Sequence, residues 1–166
     1  MPLPDHVLID RVRARHILLL QRTLDMMDHL LRSTPVEDLT RYTDGPDGWS
    51  ALEILCHLRD FDDIFYNRVL RILNEDVPLL DAADHEGLVA ERDYIHEDPT
   101  RAFMQLHEAR HRFIHLFESL TPDQWNRMGI HPENGDWSVT DALMQVGHHD
   151  VNHLEQMTRV LSQRGK

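Results

Sequence analysis

The sequence predicts an all-α protein folded as a four-helix bundle. Four long segments repeat their apolar residues every three to four positions, no segment alternates with the period of a strand, and the prolines fall between these segments or at their ends. The 166 residues suit one domain with a substantial core, so the whole chain, 1–166, is read as a single unit.

The first helix is expected from about Asp5 to Arg32, with Ile9, Val12, His16, Leu19, Leu20, Thr23, Met27 and Leu30 on one face. Pro35 ends it, and the stretch that follows, holding Gly45, Pro46 and Gly48, is read as a loop. Ser50 caps the second helix, and Glu53 three residues later completes a capping box. Ile54, Leu58, Phe61, Phe65 and Ile72 then form its inner stripe, and it ends near Asn74. From Glu75 to Pro99 the chain is acidic and broken by Pro78 and Gly87, with room for a short helix within Asp84–Tyr94. A connection of that length between helices two and three can cross the bundle.

The third helix is expected from about Pro99 to Leu120, with Phe103, Leu106, Arg110, Phe113, Phe117 and Leu120 inward. A loop with Pro132 and Gly135 leads to Ser138, which caps the fourth helix together with Asp141; that helix continues to about Gln163. The two starts, DGWSALEIL and GDWSVTDAL, resemble each other, and each tryptophan is placed to fold back on its helix as a hydrophobic staple.

Composition narrows the function. The formal charge of −12 repels a phosphate backbone and anionic membrane surfaces, so nucleic acid and membranes are not expected partners. The longest apolar run, Ile17–Leu20, is far below the roughly 18 residues of a membrane span. A lone cysteine, Cys56, and no visible secretory leader fit a cytoplasmic protein. Cys56 is rotated about 100° from His57 on a helix and is read as a packing residue. Met26, Met27, Met144 and Met157 are read as core filler.

Thirteen histidines are the anomaly. His149 and His153 stand four apart on the fourth helix, on the stripe of Val139, Ala142, Val146, Met157 and Val160. Two buried imidazoles cost on the order of 1–3 kcal/mol each when unpaired, so a metal ion, ordered water or buried carboxylates such as Asp62 and Asp150 must satisfy them. His57, at the edge of the second helix's inner stripe, can reach across as a third ligand and leave coordination positions open, as in a catalytic centre. Neutral nitrogen ligands suit zinc, nickel, iron or copper. His107, His111 and His115 also step by four, on a face that drifts outward and reads as solvated, with a second metal site as the alternative. His16 reads as a hydrogen-bonded core histidine, and His131 carries no informative spacing. Arg110 in an apolar stripe needs an anion: an internal pair with an acid such as Asp62, or a bound anionic cofactor or substrate beside the ion.

The blocks GWSALEILCHLRDFD and DWSVTDALMQVGHHDVNHLEQM resemble the DinB-like superfamily of helical-bundle metalloproteins, to which bacillithiol transferases and mycothiol-dependent maleylpyruvate isomerases are related. The resemblance implies that His57, His149 and His153 form a three-histidine site for a divalent transition metal, zinc or nickel foremost and iron after them. It also implies a long crossover between helices two and three, frequent homodimers, and in some relatives a low-molecular-weight thiol as cofactor. The function expected is a metal-dependent thiol S-transferase acting on a small-molecule thiol and an electrophile. Asp62 or Asp150 would be the proton acceptor and Arg110 a cofactor contact. A metal-dependent hydrolase and a non-catalytic metal-binding stress or sensor protein are the alternatives.

Overall fold

The computed structural model describes residues 4–164, and among these it contains seven α-helices. Four are long: α1 (Asp5–Arg32), α3 (Ala51–Asn74), α5 (Pro99–Ser119) and α7 (Val139–Leu161). Three are short: α2 (Asp38–Arg41), α4 (His85–Glu91) and α6 (Pro122–Trp125). The four long helices match the four periodic segments within one or two residues, and both expected capping boxes are present. Glu53 Oε2 accepts from the Ser50 amide at 2.8 Å, and Asp141 Oδ2 accepts from the Ser138 amide at 2.8 Å.

Short helices α2 and α6 occupy parts of segments read as loops, being too brief to show a period, and two further expectations are corrected. The loop before α7 contains a hairpin, β1 (Met128–His131) and β2 (Gly135–Ser138), paired antiparallel. Strands of four residues are too short to print a period of two, and their pairing depends on a backbone conformation that hydropathy does not encode. Gly135, at φ 72°, takes the left-handed conformation that closes the three-residue turn. At Gly129 a Cβ would stand 3.0 Å from Ile72 Cγ1 and from the Pro78 carbonyl oxygen, so the bare backbone lets β1 lie flush against the end of α3. Met26 is the other correction. It is 57% exposed, whereas Met27 and Met157 are fully buried, because one step along α1 turns a side chain by about 100° from the core.

α3 and α1 each pack on both α5 and α7, so α1 lies diagonally across the bundle from α3, and α5 from α7. Two apolar clusters fill its ends. One joins Leu24 and Met27, Leu52 to Leu58, Ala102 and Leu106, and Leu154 to Leu161; the other joins Leu20, Phe61 to Ile72, Phe113 to Phe117, and Val139 to Val146. The N-terminal halves of α3 and α5 therefore share one end, and these neighbours run parallel. A parallel pair needs a connection that travels back the length of a helix, and residues 75–98 supply it. This return is fastened to α3: Asp60 is contacted by Arg59 Nε at 2.8 Å and Arg92 Nη1 at 2.9 Å, and accepts from the buried Tyr94 hydroxyl. No helix among the described residues is long and apolar enough to cross a membrane.

Candidate metal centre

Halfway along the bundle, between the two apolar clusters, the core turns polar. α3 contributes His57 and α7 contributes His149 and His153; each offers one ring nitrogen, and these three atoms lie within 4.8 Å of one another. Nε2 of His57 stands 3.0 Å from Nε2 of His149, and the ring centroids of His149 and His153 are 4.5 Å apart. His57 is buried, and the other two are partly buried. The residue before the α3 cap is part of the same site. The ring of Trp49 lies 4.8 Å from that of His57 and stacks at 6.3 Å on that of His153. Phe61 closes the inner side, 4.3 Å from His57 and 5.2 Å from His149, with Phe65 beyond it at 5.6 Å from His149. Trp49 thus folds back on its helix as the staple expectation has it. Trp137 joins the buried cluster of Val139, Ala142 and Leu143 at the start of α7 and also packs on Phe65 and His131.

The chemistry of this donor set fits a borderline divalent ion. Two nitrogens bound at about 2.0–2.1 Å to one ion lie roughly 2.9–3.4 Å apart, which brackets the 3.0 Å between His57 and His149. The tautomer of His153 is set from outside. Nε2 of Gln156 donates to Asp44 Oδ2 at 3.1 Å, and a carboxylate only accepts, so the amide oxygen of Gln156 is turned toward His153. That oxygen lies 2.8 Å from His153 Nδ1, which must therefore carry the proton, and the ring's lone pair is on Nε2. Asp44 is held in turn by Arg159, whose Nη2 lies 2.7 Å away, and the hydrogen bond from this guanidinium keeps the carboxyl below its ordinary range. The spacing of His149, His153 and Gln156 is visible in the sequence. The part played by Asp44 is not, because it depends on a loop folding over α7.

Arg110 sits in the same polar layer with Asp62 and Asp150, all three buried. Its Nε and Nη2 donate to the two oxygens of Asp62, each at 2.8 Å. Nη2 also reaches Asp150 Oδ1 at 2.9 Å, and Nη1 reaches Asp150 Oδ2 at 2.5 Å and the Leu20 carbonyl at 3.2 Å. The Thr23 hydroxyl donates to Asp150 at 2.5 Å. All five guanidinium protons have protein acceptors, so Arg110 as it stands offers none to a bound anion. Of its two expected roles, the geometry presents the internal ion pair, drawn between two acids rather than one. Burial raises Asp62 to about 6 despite the guanidinium, because one positive charge offsets only one of two buried carboxylates, and Asp150 adds repulsion. Helices α1, α3, α5 and α7 all contribute to this layer, and Asp150 and Asp62 directly follow His149 and Phe61 in the chain.

The remaining sites are quickly placed. Cys56 is fully buried and burial pushes its thiol up to about 12, as expected of a packing residue. His16 is half-buried and its Nδ1 lies 2.9 Å from the Val12 carbonyl oxygen. His131, whose spacing carries no signal, is buried 3.1 Å from Arg68 Nη1; burial and that guanidinium hold its pKa below the ordinary histidine value. His107 and His111 are exposed, as the solvated reading has it.

A helical bundle with three imidazoles converging at its waist defines a class of metal-site bundle proteins, and residues 19–157 match the family model of the DinB superfamily. The chain belongs to the DinB superfamily. Among individual relatives it is 26% identical over 124 residues to "Putative metal-dependent hydrolase YfiT" of Bacillus subtilis, spanning 72% of this chain and 68% of that protein. It is 28% identical over 135 residues to a Bacillus licheniformis protein of the same description, spanning 79% and 77%. The solved structure of YfiT, described as a four-helix bundle of unusual topology, superimposes with a TM-score of 0.83 at 23% identity, covering 92% of this chain and 86% of that one. The mycothiol-dependent maleylpyruvate isomerase shares the fold at a TM-score of 0.71 and 10% identity, over 87% of this chain and 60% of that one.

Proposed function

We propose that this protein is a metal-dependent enzyme in which His57, His149 and His153 hold a divalent transition ion, zinc or nickel foremost and iron after them. Its reaction is transfer of a low-molecular-weight thiol to a small electrophile. The observation that carries this reading is the convergence of three ring nitrogens from two helices within 4.8 Å. Three protein ligands are the number that catalytic centres use, since a fourth position is then left for a guest. A bound ion supplies Lewis-acid activation, lowering the pKa of a thiol or water beside it.

The chain's own residues do the rest. Gln156 keeps the proton of His153 on Nδ1. Trp49, Phe61 and Phe65 give the centre an aromatic wall that excludes water and suits a soft sulfur nucleophile. Asp62 and Asp150 are committed to Arg110, so in this reading they position His149 and the inner wall through the polar layer. A thiol that ionises readily also asks less of a general base than water does. The setting proposed is the cytoplasm, which the free Cys56 suits, with small molecules rather than nucleic acid as partners, which the charge of −12 suits; the homodimer rests on the DinB resemblance alone.

Hydrolysis is the second reading, favoured by the descriptions of the Bacillus relatives. Elemental analysis of tag-free protein, followed by a panel of small thiols with an electrophilic acceptor and a panel of esters and amides, separates the two. One bound transition ion and thiol-dependent turnover abolished by His149→Ala are expected. Turnover of the ester or amide panel without thiol would replace the transferase by the hydrolase. A metal-free protein, or turnover indifferent to His149→Ala, would overturn both.

A further inference from the structure

One histidine series is not used by the centre just described. On α5, His107 and His111 are one turn apart and both exposed. Their Nε2 atoms approach to 3.1 Å and their ring centroids to 4.3 Å. Exposed side chains three or four apart on a helix can take many rotamers; here both rings turn toward each other with the same ring nitrogen in front. The separation falls inside the roughly 2.9–3.4 Å expected for two nitrogens bound at about 2.0–2.1 Å to one ion. It nearly repeats the 3.0 Å between His57 and His149. The formal charge of −12 raises the cation concentration at the surface. His107 also lines a cavity of about 570 Å³ whose charged members are Asp28, Glu108 and Arg32, the last paired with Asp28 at 2.7 Å. His115, one turn further, is exposed as well.

We propose that His107 and His111 form a second, solvent-facing metal site that takes a borderline divalent ion through their two Nε2 atoms, with water completing its shell. By the usual order of affinities copper(II) binds there most tightly, and nickel and zinc less so. The site shares no ligand with the three-histidine centre. With two ligands rather than three, both of them exposed, it binds more weakly and exchanges faster.

The test uses full-length, tag-free protein stripped of metal with a chelator, then equilibrated with nickel chloride in dialysis, with bound ions counted by elemental analysis. Wild type is expected to take up a tight ion and then a weaker one, and His111→Ala to lose the weaker one only. Both positions are exposed, so the variant retains the fold, which circular dichroism checks; His107→Ala provides the same readout independently. Copper(II) electron paramagnetic resonance gives a second measure. In a His57→Ala/His149→Ala background, which leaves the inner centre a single imidazole, the signal of two equatorial imidazoles should fall to that of one on adding His111→Ala. A wild type saturated by the tight ion alone, or a His111→Ala protein binding as much nickel as wild type, overturns the proposal. Neither result depends on whether the three-histidine centre is catalytic.

Discussion

His153 donates from Nδ1 to the side-chain oxygen of Gln156, 2.8 Å away, and the orientation of that amide is imposed by Asp44, 112 positions earlier in the chain than Gln156. The loop before α3 thus decides which nitrogen of a ring on α7 holds the lone pair. Partners of this kind typically change metal affinity by 10–100-fold when removed. Gln156→Ala should accordingly weaken zinc or nickel binding by about 10–100-fold in a chelator competition, with the helical signal unchanged. Equal affinities would show that the relay is idle.

Acid should empty the three-histidine centre, because ligating imidazoles must be neutral and histidine protonates with a pKa of about 6.5 when unperturbed. Dialysis at stepwise lower pH is expected to release the ion below about pH 6. An ion still bound at pH 4 would mean that histidine nitrogens are not what holds it.

Arg110→Met leaves Asp62 and Asp150 buried without their counter-charge. Breaking a buried pair this way costs about 3–5 kcal/mol, which denaturant unfolding resolves easily. Combining it with Asp62→Asn and Asp150→Asn should recover much of the loss, because the uncompensated charges are gone. No recovery in the triple variant would mean that packing of the arginine, and not its charge, supports the layer.

The same layer makes stability depend on pH. The folded-state pKa of Asp62, about 6, lies above the ordinary aspartate value of 3.8, so between these values the folded chain binds the proton that the unfolded chain lacks. The contribution of Asp62 to stability therefore improves as pH falls through about 6 and levels off below about 4. In metal-free protein the stability difference between wild type and Asp62→Asn should follow that window. A difference constant from pH 7 to pH 4 would place the proton elsewhere.

Cys56 should be inert in the native state. Its side chain is fully buried and its pKa is raised to about 12, so thiolate is scarce and reagent access is closed. Aromatic disulfide reagents are expected to modify it only on unfolding, at the rate of global or local opening. Rapid labelling of the folded chain would contradict the burial.

The sequence by itself determined the four long helices, the caps of α3 and α7, the pair His149 and His153 that could share an ion, and the outward face of His107 and His111. Each of these is written in local spacing: a helix repeats every 3.6 residues, a cap needs an acceptor three residues before its partner, and a four-residue step stacks two rings. The DinB resemblance joined His57 to the pair on α7, where spacing alone left the third ligand open. Tertiary structure decided the rest. The hairpin at 128–138 is too short for periodicity to declare. The parallel course of α3 and α5 follows from which apolar halves meet. The distribution of the Arg110 charge between Asp62 and Asp150, and the reach of Asp44 to Gln156, depend on contacts between distant elements. Residue type tells what a buried charge or ring requires; which partner meets the requirement is fixed only when packing brings separated parts of the chain within hydrogen-bonding distance.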